Sequence, residues 1–283
     1  MTVIAGACYQ VISAGGASQQ GSVLTSSNAA HKRLHMYPSQ TSGHGAPVLK
    51  PGDMRDMGRM TWAGYLNAGN KAAIAGLCAV AGAPDFGTNL VASISALTII
   101  YGDPVVGAFQ TTECFGTRLR LTGRSGQLVR FSLEMVGKAT TSHTVAAPAI
   151  ADAEFFPFEK GTHVIGEDTL LGFDVDYRTG FFARFAPDGD LGYSGINESL
   201  RQRELSATLY LAHDAASYAA WANYAAVART DHTLTLSGSD GSSCIVVVGG
   251  YYTNWDHQEQ EKLLVARATL TGVWDDGAYI SMN

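Results

Sequence analysis

Chemistry in this chain would have to come from a few side-chain groups. His31, His35 and His44 fall close together and could in principle ligate a metal. They lie in an irregular polar stretch with no cysteine nearby, so a solvated or interface role is the expectation rather than zinc. Asp174 and Asp176 are two residues apart, which on a strand puts both carboxylates on one face. A glycosidase needs two carboxylates facing each other across a cleft, so this spacing reads as a solvated face. Asp275-Asp276-Gly277 reads as a hairpin turn, although its oxygens would also suit calcium.

Other signatures are weaker. Gly192 to Gly195 follows no strand-to-helix switch and reads as a turn rather than a phosphate cradle. No Gly-x-Ser-x-Gly elbow is present. Trp62, Trp221, Trp255 and Trp274 could stack on a sugar. Trp221 lies on the apolar face of a helical stretch, so a core position is expected for it; Trp255 and Trp274 end strands, where core or interface positions are expected. The sequence therefore predicts no catalytic, cofactor-binding or metal-ligating residue, and no enzyme.

Composition sets the frame. Of 283 residues, 46% are hydrophobic and 16% charged, which is too apolar for disorder. No uncharged apolar run reaches the roughly 20 residues of a spanning helix, and Met1 to Cys8 lacks the basic start of a secretory signal. The net charge of -6 argues against gripping nucleic acid through its phosphates. Cys8, Cys78, Cys114 and Cys244 are widely spaced and read as free buried thiols of a reducing compartment. The 32 glycines and 12 tyrosines point to a β-rich chain with many turns.

The elements follow from periodicity. Residues 26–60 lack it and read as a long loop suited to intersubunit contact. Residues 69–82 read as a helix with Ile74, Leu77 and Cys78 on one face. Arg118–Thr122 and Phe131–Met135 alternate across a glycine turn, which predicts a hairpin. Residues 139–163 read as a linker, with a boundary near residue 147 and Phe155, Phe156 and Phe158 anchoring the next unit. Phe173–Arg178 and Glu204–Leu211 alternate as strands around a loop from Pro187 to Asn197. Asp214 caps a helix carrying Tyr218, Trp221 and Ala225 on one face. Strands return at 234–236, 245–248, 263–270 and 279–281. Leu128–Leu133 loosely mirrors Leu264–Leu270, which suggests an internal duplication. The expected fold is mostly β with short flanking helices, in two tandem sandwich-like or barrel-like domains, 1–147 and 148–283.

The stretch SALTIIYGDPVVGAFQTTECFGTRLRLTGRSGQLVRFSLEMVGK, Ser95 to Lys138, resembles the tail tube proteins of long-tailed bacteriophages. LLGFDVDYRTGFFARFAPDGD, RQRELSATLYLAHDAASYAAWANYAA and the closing ARATLTGVWDDGAYISMN are similar in the order of their elements, so the resemblance spans residues 65–283. It implies a virion structural protein, made in the bacterial cytoplasm, that self-assembles into rings and a stacked tube. A tape measure, a tail terminator and a baseplate would be its tail partners, and genome DNA would pass through the lumen. Two tube domains per chain favour a trimeric ring, one enlarged domain a hexamer. An acidic lumen would repel phosphates; Asp174, Asp176 and Glu204 are candidate solvent-facing strand carboxylates. A decoration or baseplate subunit is the neighbouring alternative, and a carbohydrate-binding β-sandwich the more distant one.

Overall fold

The computed structural model describes residues 9–12, 22–27, 32–37, 48–55, 58–82, 89–103, 107–143, 154–163, 169–185, 193–260, 263–272 and 280–283. In chain order the first strands are β1 (Tyr9–Ile12), β2 (Ser22–Ser27), β3 (Lys32–Tyr37), β4 (Val48–Arg55), β5 (Gly58–Tyr65), β6 (Leu97–Asp103), β7 (Gly107–Arg124), β8 (Arg130–Gly137) and β9 (Ala139–His143). The remainder are β10 (Thr162–His163), β11 (Leu170–Arg178), β12 (Phe181–Arg184), β13 (Gly195–Glu198), β14 (Glu204–Ala212), β15 (Arg229–Ser237), β16 (Ser243–Gln260), β17 (Leu263–Thr271) and β18 (Ile280–Met282). Two helices interrupt them, α1 (Lys71–Leu77) and α2 (Ala215–Ala225). The chain is thus mostly β, and most strands join one 14-stranded antiparallel sheet.

Alternation explains which strands form. In β7 and β8, Leu119, Leu121, Phe131, Leu133 and Met135 are buried while the residues between them face outward. The same holds for Phe173, Val175 and Tyr177 in β11 and for Leu205, Ala207, Leu209 and Leu211 in β14. One face of the sheet is therefore apolar and the other polar. Trp62 is fully buried on the apolar face, edge-on to Phe131 at 4.9 Å.

The helices start where polar side chains satisfy free N–H groups. At α2 the Asp214 carboxylate accepts from the Ser217 N–H at 2.8 Å, and the Ser217 hydroxyl accepts from the Asp214 N–H at 3.0 Å. At α1, Asn67 and Asn70 exchange backbone-to-side-chain bonds of 2.9 Å, and Ile74, Leu77 and Cys78 are buried as expected. Cys78, Cys114 and Cys244 are buried free thiols; burial pushes Cys114 up to about 12 and Cys244 up to about 11. Cys8 lies outside the described residues.

Several expectations need correcting. Residues 26–60 are not one loop: they contain β3 and β4, paired with each other, and the start of β5. Pro51, Gly52 and the scattered methionines hide any alternation there. The segment 187–197 ends in β13, which pairs with β12. Within 139–163, β9 pairs with β7. Phe156 anchors backward as well as forward, since its N–H donates to Leu66 O at 3.2 Å and its carbonyl accepts from Val129 N–H at 3.0 Å. The boundary near residue 147 lies outside the described residues. Tyr218 and Trp221 face outward, 68% and 38% exposed, while Ser217 and Ala220 carry the buried side of α2.

The pairing of β1–β9 recurs strand for strand in β10–β18. β1 pairs β6 as β10 pairs β15; β2 pairs β5 as β11 pairs β14; β3 pairs β4 as β12 pairs β13. β5 and β7 flank β8 as β14 and β16 flank β17. β6 and β9 both pair β7, as β15 and β18 both pair β16. Even the irregularities correspond. β7 shifts register against β8 between Gly116 and Arg118, and β16 shifts against β17 between Tyr252 and Asn254. Of the loosely mirrored stretches, Arg130–Leu133 lies on β8 and Leu264–Leu270 on the corresponding strand β17.

The two sets are joined by one extra ladder, β7 to β11, running from Arg124↔Gly172 to Arg178↔Arg118. Close approach there depends on Gly123. A Cβ on it would lie 2.3 Å from the Phe173 ring and 2.8 Å from Phe158, so any side chain would push the aromatic core off the ladder.

A buried histidine pair makes the fold sensitive to acid. His163 and His232 stack at 5.3 Å, and Tyr252 Oη lies 2.7 Å from His232 Nε2. Burial lowers His163 to about 4, and burial with the neighbouring His163 lowers His232 to about 3. In the unfolded chain both would titrate near 6.5. Between these values the unfolded state binds the extra protons, so stability is complete above about pH 6.5 and falls as pH drops. The slope is about 1.4 kcal/mol per pH unit for each histidine. Urea midpoints measured from pH 7.5 to 4.5 should fall accordingly, and His163→Phe/His232→Phe should flatten that decline.

Candidate assembly site

The polar face carries the sequence-predicted carboxylates, and the register of the β7–β11 ladder decides what they meet. Asp176 lies opposite Arg120 and beside Arg118. Its carboxylate accepts from Arg118 Nε at 2.7 Å and Arg120 Nε at 3.2 Å. Burial pushes Asp176 up, but the bonds and charges of Arg118 and Arg120 outweigh this and hold it below the usual carboxylate range. Asp174 accepts from Arg124 Nη2 at 2.6 Å and from the Tyr210 hydroxyl at 3.1 Å, with the Arg124 guanidinium 4.4 Å from the centre of the Tyr210 ring. Glu204 accepts from Arg178 at 3.1 Å.

All three candidate carboxylates are therefore paired with arginines. Alternating strands that place Asp on β11 also place Arg at matching positions of β7, giving a face of mixed, mutually paired charge. Arginines already bound to carboxylates offer little to a phosphate backbone. The signal was legible in RLRLTGR (118–124), but only knowledge of the strand register links it to residues 174–178.

Other candidate residues disperse. His35 lies on β3 opposite Lys50, while His31 and His44 are outside the described residues. So are Asp275 to Gly277, Trp274 and Gly192. Gly195 opens β13. Among the described residues no His, Cys, Asp and Glu set comes together that could hold a metal, and no helix is long and apolar enough to cross a membrane.

Of the strand edges that lack a partner among the described residues, two correspond between the two strand sets. β2 pairs only with β5, so its other edge is open. The second half of β16, from Tyr252 to Gln260, pairs with β17 on one side only. These are corresponding edges. β2 matches β11, and the free part of β16 matches the part of β7 that β11 covers. Open edges of this kind are templates for pairing with another chain.

Beside the β16 edge lies a groove of about 190 Å³ lined by His213, Ser217, Tyr218, Trp221, Trp255 and His257. Tyr218 and Trp221 stack at 5.7 Å, and His213 meets His257 edge-on at 5.3 Å. Sequence reading missed this groove because it took the aromatic face of α2 to be core. No protein-family model matches the chain, and no characterised protein matches it either.

Proposed function

We propose that the chain is a structural subunit of a phage tail tube, with two tube domains in tandem, three copies closing a ring and rings stacking into a hollow conduit for genome DNA. The observation that carries this reading is the pair of matching open edges, β2 and the second half of β16. A head-to-tail contact between them repeats the internal β7–β11 ladder, and heterologous contacts that close generate rings. Repeating one ladder at every junction would cover both of these edges. With two domains per chain, three chains supply six equivalent positions. The β-rich architecture and the order of elements noted in the sequence agree with this role.

The polar face suits a lumen. Its carboxylates are neutralised by Arg118, Arg120, Arg124 and Arg178, so DNA would meet neither a phosphate-gripping surface nor bare acid. The exposed Tyr218 and Trp221 would also attract a carbohydrate-binding reading. Each ring covers a face of the other, however, which is poor geometry for a sugar platform. Electron microscopy of the purified protein at rising concentration tests the proposal: rings or hollow tubes are expected, and monomers that bind glycans would favour the alternative.

A further inference from the structure

The internal ladder also fixes how one copy should seat on the next. Aligning β16 with β7 through their matched irregularities places Leu119 with Trp255, Leu121 with His257 and Thr122 with Gln258. Leu119 and Leu121 are completely buried, because β11 runs alongside with Val175 and Tyr177 opposite them. Their counterparts sit on an uncovered edge: Trp255 is half-buried and His257 exposed. Aligning β2 with β11 through β5 and β14 places Thr25 with Asp174 and Ser26 with Val175.

The hairpins follow the same rule. Within the chain, the second set's β12–β13 hairpin and the turn before it reach onto the first set. Tyr193 packs edge-on to Phe115 at 5.8 Å, and Glu198 accepts from the Leu90 N–H at 2.8 Å. The corresponding hairpin of the first set is β3–β4. Moved onto a neighbouring copy by the same relation, it meets Tyr251, the counterpart of Phe115, four residues before Trp255 on β16.

We infer that the free edge of β16, with the α2 groove beside it, is the seat for β2 of a second copy, in the register of the β7–β11 ladder. That register sets Thr25 opposite Gln258 and Ser26 opposite His257 of the neighbour. The junction differs in chemistry from its internal template. Where Arg118, Arg120 and Arg124 meet Asp176 and Asp174, the contact between copies sets Asn254, Asp256 and Gln260 near Ser27 and Thr25. Of these positions only Asp256 carries a charge, so the contact should depend less on salt than the internal one. This inference rests on the tail tube reading only for closure of the ring.

The test is cysteine cross-linking of the full chain, with Thr25→Cys and Gln258→Cys together. Directly opposite strand residues lie within disulfide reach. Oxidation should give a covalent ladder ending at a closed three-chain species. Each single variant, and Thr25→Cys with Asp256→Cys, which is slipped by two residues, should give little covalent product while still forming rings. On the groove itself, Trp221→Glu should raise the concentration needed for assembly at least about ten-fold while leaving the circular dichroism spectrum and Tm unchanged. Rings that form without the Thr25–Gln258 cross-link, and that tolerate Trp221→Glu, would overturn this contact while leaving the tube reading intact. Cross-linked open chains that never close would keep the contact and overturn the ring. Neither cross-links nor rings would overturn both.

Discussion

Arg203→Met should destabilise the chain by about 3–5 kcal/mol, the range for stripping one partner from a buried ion pair. The Arg203 and Glu198 side chains are paired and only 1% and 2% exposed. Glu198 Oε2 also accepts from the Leu90 N–H at 2.8 Å, so this carboxylate ties the hairpin of the second strand set to the first. Methionine fills much of the arginine's volume but leaves a carboxylate in a dry site with one backbone donor. Its options are to stay charged at high cost or to take up a proton. Urea denaturation at pH 7.5 should show the loss as a lower midpoint. The double replacement Arg203→Met/Glu198→Gln should recover part of it, because the uncompensated charge is then gone. A single replacement with no measurable effect would mean that the pair does not hold the two sets together.

Trp62→Ala should cost about 3–5 kcal/mol, as large-to-small changes in a packed core do. Trp62 is completely buried on β5, against Phe131 of β8, and β5 joins β8 to β2 at the open end of the sheet. A cavity there loosens the strand that presents the assembly edge, so assembly should weaken together with stability. Trp221→Ala provides the contrast: an exposed side chain on α2 should leave the urea midpoint nearly unchanged and alter assembly alone. A Trp62→Ala protein as stable as the parent would contradict the core placement and reopen a surface role for this tryptophan.

Much of the sheet was legible because local alternation is a local property. Phe173–Arg178, Glu204–Leu211 and the β7–β8 hairpin each declare a buried and a wet face within a few residues. Asp214 declared a helix start for the same reason. Edges were harder. The second half of β16 reads as polar from Thr253 to Gln260, since a strand awaiting a partner lacks the apolar rhythm of one already enclosed. β3 and β4 are broken by Pro51 and Gly52 and carry no clean alternation. The face of α2 was misassigned because Tyr218 and Trp221 recur at helical spacing, which does not distinguish a core stripe from an interface stripe. The arginine–carboxylate seam was out of reach for another reason: it joins residues some fifty positions apart through a register that only the folded sheet defines. The strand-for-strand recurrence of pairing was similarly hidden, since pairing order can persist while side chains diverge, as Leu121 and His257 do.

The most direct test is end-on electron microscopy of the protein assembled at high concentration. The account predicts rings with an open centre, stacking into tubes, whose rotational averages show three-fold symmetry with six similar wall segments. Dispersed single chains at every concentration, or solid filaments without a lumen, would contradict it.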